Sequence, residues 1–123
     1  MSLRPERLTP TLAPAWDAYV LAHRDGWWWH TSGWITYQVA YRAGNEDHSF
    51  AVLDDADRVV GIVPIIAHTT SDGVREFSYS GDPAASALAD DVLVIAYGAT
   101  CAQAVHVALG ARLGLVAASP FAP

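Results

Sequence analysis

The chain has 123 residues, 13 acidic and 7 basic side chains, and a formal charge of −6. All seven basic residues are Arg, so no lysine-rich run offers a nucleic-acid-binding surface. With 52% hydrophobic and 16% charged residues it is too apolar for a disordered tail, and its length suits a single domain.

Residues 1–10 read as an irregular lead-in without an apolar run, which argues against a secretory signal. Thr11 is the expected cap of a first helix, with Pro14 in its first turn. Trp16, Tyr19, Val20 and His23 follow helical spacing, and Arg24-Asp25-Gly26 ends the run. The aromatic segment Trp27-Trp28-Trp29-His30 is expected to be extended. Thr31 caps a second helix that carries Trp34, Tyr37 and Tyr41 on one face.

A hairpin follows. Its strands are expected at 49–53 and 59–67, joined by the acidic turn Asp54-Asp55-Ala56-Asp57. The acidic cluster lacks the glycine and the spaced Glu of a calcium loop, so it reads as a solvated turn. Pro64 cannot donate a ladder hydrogen bond and marks an edge or a bulge. A third strand is expected over 75–80, with Phe77 and Tyr79 on one side, and Gly81-Asp82-Pro83 breaks it. A helix over about 91–112 comes next, then a strand over 115–118.

Within that helix, Val92 to Leu109 is apolar enough to suggest a membrane span. Thr100, Gln103 and His106 form a polar stripe, however, and favour a soluble, mostly buried helix. No transmembrane anchor is therefore expected. Cys101 stands alone, which leaves no intramolecular disulfide.

Several chemistries find no support in the sequence. There is no Gly-x-Ser-x-Gly elbow, no P-loop, no Gly-x-Gly-x-x-Gly run and no His-Glu-x-x-His helix. The most unusual segment is Trp27 to Trp34. Its rings could stack on sugars or bases, and His30 could serve in acid–base work. The plainer reading is that these Trp side chains fill a small core.

Trp16-Asp17-x-Tyr19-Val20, His30-Thr31-x-x-Trp34, Asp47-His48-Ser49-Phe50 and Val60-Gly61-Ile62-Val63-Pro64-Ile65 occur in that order. Together they resemble the N-terminal part of FemAB-like acyltransferases of the GNAT superfamily. Ser80-Gly81-Asp82-Pro83-Ala84 resembles the family's glycine turn, and Ser119-Pro120-Phe121-Ala122-Pro123 its Ser-Pro-x-x-Pro segment. The resemblance implies an α+β fold: a GNAT-like mixed sheet flanked by helices, with residues 1–123 as a partial domain, the first half of a two-half protein. It implies acyl or aminoacyl transfer to an amine of a cell-envelope or sugar-linked acceptor, in the cytoplasm. Acyl-CoA or aminoacyl-tRNA would be the donor. His30, Tyr37, Tyr79 and Asp82 are the candidate acceptor-side residues. Asp82 and Pro83 stand where a pyrophosphate-cradling loop would lie, so no CoA loop is expected in this chain. An unpaired sheet edge would favour self-association. The alternative is a non-catalytic, aromatic-rich binding domain.

Overall fold

The computed structural model describes residues 2–76 and 87–109. Chain order runs β1 (Arg4–Arg7), α1 (Ala13–Ala22), a 3₁₀ turn (Trp28–His30), α2 (Ser32–Tyr41), β2 (Asn45–Asp47), β3 (Phe50–Leu53), β4 (Val59–Val63), β5 (Ile66–Thr69), β6 (Arg75–Glu76), β7 (Leu88–Ala89) and α3 (Val92–Leu109). The fold is α+β, as the sequence indicates. Tyr79 and Asp82, the glycine turn, the rest of the third expected strand and the whole segment after Leu109 lie outside the described residues.

One long bent hairpin organises both sheets. Its outer part, β3 and β4, joins an antiparallel sheet of order β1-β3-β4-β7. Its inner part, β2 and β5, belongs to a second sheet of order β2-β5-β6. The change of sheet falls where Pro64 interrupts the ladder, so the strand expected over 59–67 is two strands. Ser49 holds the bend together. Its hydroxyl accepts the Ile65 N–H at 2.9 Å and donates to the Ile65 carbonyl at 3.3 Å.

Strand alternation sorts the core into two layers. Ala51, Leu53, Ile62 and Leu88 face Trp16 and Val20 of α1 and Ile35 of α2. Phe50, Val52, Val63 and Ala89 face Val94, Ile95, Tyr97 and Cys101 of α3. The helical pair and α3 therefore cover opposite faces of the four-stranded sheet. Gly61 permits the close approach of α3, since a Cβ there would stand 2.8 Å from Val94 Cγ1.

Further expectations need correction. Residues 4–7 form a strand although their pattern is wholly exposed, because backbone pairing with β3 holds them. Thr11 does not cap α1; Leu12 takes the cap position, and the Thr9 carbonyl accepts from Leu12 and Ala13. Trp28–His30 is a 3₁₀ turn, not an extended strand. Finally, α3 is not mostly buried. Val94 and Gly98 are its buried residues, whereas Val92, Leu93 and Val107 are 66–73% exposed. Its length and mean hydropathy of 1.7 would suffice to cross a membrane.

The acidic turn is less solvated than expected. Asp54 is buried and accepts from the backbone N–H groups of Ala56 and Arg58 and from Arg58 Nε. The Arg58 N–H above all holds the carboxyl below the usual aspartate range. Arg4 reaches Asp57 at 2.6 Å and ties the start of the chain to this turn.

At the other end of the hairpin, His48 lies among Arg7, Glu46, Asp47 and Arg75. Arg7 donates to the Asp47 carbonyl at 2.6 Å, and Arg75 stands 3.4 Å from Glu46. Burial lowers the His48 pKa, helped by Arg7 and Arg75 and opposed by Glu46 and Asp47. A histidine depressed on folding resists protonation only in the native state. Its contribution is complete above the ordinary value of about 6.5 and erodes as pH falls through it. Urea midpoints measured from about pH 7 to pH 5 should therefore decline less steeply for His48→Gln than for the native chain. Equal slopes would contradict this.

Candidate functional site

The corner between α1 and α2 is built by a short series of bonds. Gly26 must be glycine, since a Cβ there would lie 2.1 Å from the Val20 carbonyl oxygen. The chain then turns through Trp27. His30 Nδ1 accepts the Trp27 N–H at 3.0 Å, and the Trp27 carbonyl accepts the His30 N–H at 2.8 Å. Thr31 donates its hydroxyl to the Trp28 carbonyl at 2.7 Å and accepts the Trp34 N–H at 3.3 Å, which caps α2 as its sequence indicates.

Two adjacent residues of α1 fasten this corner from below. Trp16 Nε1 donates to the His30 carbonyl at 2.7 Å. Asp17 accepts the Ser32 N–H at 2.8 Å on one carboxylate oxygen and the Ser32 hydroxyl at 2.6 Å on the other.

The fastened corner presents an aromatic surface. Trp28 and Trp29 stack with centroids 4.0 Å apart, and Trp34 meets both edge-on at 4.7 and 4.8 Å. Tyr37 follows Trp34 at 5.3 Å, and Tyr41 follows Tyr37 at 5.1 Å. Trp27, Trp28, Tyr37 and Tyr41 are each half exposed. Only Trp16 of the five indoles is fully buried, so the plain core-filling reading of the Trp cluster does not hold for Trp27 and Trp28.

Two grooves open on this surface. One, of about 550 Å³, is lined by Asp17, Val20, Leu21, Gly26, Trp27, Trp28 and Thr31. The other, of about 430 Å³, is lined by Trp28, Thr31, Gly33, Trp34 and Tyr37. Trp28 and Thr31 belong to both, so the grooves share a wall.

Of the four sequence candidates, Tyr37 lines the second groove. His30 is buried beneath the corner, where its ring and carbonyl hold the turn. Tyr79 and Asp82 lie outside the described residues. Asp17 was not singled out by the sequence, although it belongs to the Trp16-Asp17-x-Tyr19-Val20 string. The available signal was a carboxylate next to a buried Trp, with Ser32 directly after the next helix cap.

A second histidine–carboxylate contact braces the far end of α1. His23 Nδ1 accepts the Asp25 N–H at 3.0 Å, and Nε2 lies 3.1 Å from Asp90. Tyr19 packs beside His23 and donates to the Val60 carbonyl at 3.1 Å. Burial, with help from Asp90, raises the Tyr19 pKa to about 12. The contact links the end of α1 to the residues that lead into α3.

The strand that directly precedes α3 is β7, and the helix is entered through Asp90-Asp91-Val92. Asp91 already accepts the Leu93 N–H at 2.8 Å. Two carboxylates at this helix N-terminus would repel a pyrophosphate, so the described start of α3 offers no cradle for CoA. Among the described residues no group of three or more His, Cys, Asp or Glu side chains could hold a metal ion. No protein-family model, curated protein or solved structure matches the chain, and its chemistry must be argued from the corner itself.

Proposed function

We propose that this chain forms the acceptor-binding part of a FemAB-like acyltransferase, with the twin grooves at the α1–α2 corner receiving the acceptor. The observation that carries the reading is the sheet order β1-β3-β4-β7, all antiparallel, with two helices between its first two strands and a helix after its last. That order supports the reading, because the resemblance implies an opening of a strand, two helices, a hairpin continuing to a third strand, and a helix. The aromatic grooves supply broad apolar walls suited to a sugar-linked or similarly extended acceptor.

In this reading the acceptor amine attacks the acyl carbonyl of a thioester or ester. An acceptor that arrives as an ammonium first loses one proton to solvent. The N–C bond then forms, the C–S or C–O bond breaks, and the second amine proton ends, through solvent, on the departing thiolate or alkoxide. The task of these residues is to hold the amine where the attack can occur. The acidic start of α3 supports a donor held elsewhere than at that helix.

A second reading, a non-catalytic binding surface, is favoured by the aromatic series Trp28-Trp34-Tyr37-Tyr41, in which Trp28, Tyr37 and Tyr41 are half exposed. An assay of the protein expressed from its native reading frame separates the two. Labelled acetyl-CoA and alanyl-tRNA are supplied in turn, with amino sugars and amine-bearing muropeptides as acceptors. Acylated acceptor is expected, with KM raised by Tyr37→Ala. No transfer from either donor would overturn the acyltransferase reading.

A further inference from the structure

We infer that the groove bounded by Asp17, Trp27 and Trp28 is a recognition site for an ammonium group, so that its ligand enters as a cation. This rests on the reading of the groove as the acceptor site and adds the charge of what occupies it.

Three observations converge on it. First, the groove contains one ionisable side chain, the Asp17 carboxylate, and no cationic residue lines it. Arg24 does not line it and stands 3.6 Å from Asp25. Second, Asp17 is held in place. Ser32 donates to both its oxygens through N–H and hydroxyl, neutral donors that orient the carboxylate without cancelling its charge. Each oxygen keeps a further lone-pair direction for an ammonium proton. Third, two half-exposed indoles border the same groove. An indole face attracts a cation through its quadrupole, and Trp is the best aromatic partner for it. A carboxylate beside two indoles is a combination that gains from a positive charge. A neutral sugar would use the rings and leave the carboxylate unmatched. The overall charge of −6 favours the approach of cations as well.

The second groove, walled by Trp28, Trp34 and Tyr37, carries no charged lining residue. The two compartments thus differ in chemistry. The Asp17 side takes the ammonium head and the Tyr37 side takes the uncharged body attached to it.

The test is a titration of the full chain followed by tryptophan fluorescence, with cyclohexylammonium and its near-isostere cyclohexanol as probes. Saturable binding of cyclohexylammonium is expected, with affinity at least about fivefold above that of cyclohexanol and falling as salt rises. Asp17→Asn should remove that preference. Because Asp17 also bonds Ser32, a second variant guards against a folding defect. Leu21 is 89% exposed and lines the groove, so Leu21→Arg places a fixed cation there without disturbing the core. It too should abolish the preference. Equal affinity for the two probes, no binding of cyclohexylammonium, or a preference that survives Leu21→Arg would overturn the assignment. Ammonium binding without acyl transfer would sink the transferase reading and leave this one standing. Transfer to amines without the preference would do the reverse.

Discussion

Trp16→Ala is expected to destabilise the fold by about 3–5 kcal/mol, the cost of emptying a large aromatic site in a packed core. Trp16 is wholly inaccessible and sits in the cluster that joins α1 and α2 to the four-stranded sheet. Truncation opens a cavity among Val20, Ile35, Leu53, Ile62 and Leu88, and it leaves the His30 carbonyl without its 2.7 Å donor. Small domains are stable by about 5–15 kcal/mol, so such a loss consumes much of the margin. Trp16→Phe keeps most of the volume and loses the indole N–H, at about 0.5–1.5 kcal/mol for the lost hydrogen bond. Urea denaturation of the three proteins checks the order native, Phe, Ala. An alanine variant with the native midpoint would show that the corner is not fastened through Trp16.

Trp28→Ala is expected to act in the opposite way, with a modest stability loss and a large functional one. Trp28 is 51% exposed, so its removal leaves little cavity. Its contacts with Trp29 and Trp34 contribute about 0.5–1.5 kcal/mol each beyond buried area. Trp28 is also the wall common to both grooves, and its loss merges them into one shallow surface. Acceptor affinity should fall at least about tenfold, equivalent to about 1.4 kcal/mol. Tyr41→Ala is the matched control, because Tyr41 ends the aromatic series and lines neither groove. Isothermal titration of both variants with an amine acceptor distinguishes them. Equal losses would mean that general aromatic exposure, not this groove, governs binding.

Legibility in the sequence followed the strength of the local signal. Thr31 announces α2 because a hydroxyl ahead of a helical run satisfies its loose N–H groups. Phe50 and Val52 alternate with Ala51 and Leu53, and each pair faces a different layer. By contrast, Arg4-Pro5-Glu6-Arg7 has no apolar member, so its pairing with β3 exists only in three dimensions. Asn45-Glu46-Asp47 is equally polar and becomes a strand through β5. The Trp27-Trp28-Trp29-His30 segment has the residue types of a strand, yet the His30 ring captures the Trp27 N–H and the chain closes into a turn. For α3, an apolar composition shows hydrophobicity but not how much of the helix meets a partner. The aromatic part of the site was readable as a cluster of residue types. Its acid was not, because Asp17 gains its place only when Ser32 folds back over it.

The indole N–H resonances of the five tryptophans test the central claim most directly, in a proton–nitrogen correlation spectrum recorded during addition of glucosamine. Trp27 and Trp28 should shift with one common binding curve while the buried Trp16 stays in place. Absence of any shift, or shifts confined to Trp16, would contradict an acceptor site at the α1–α2 corner.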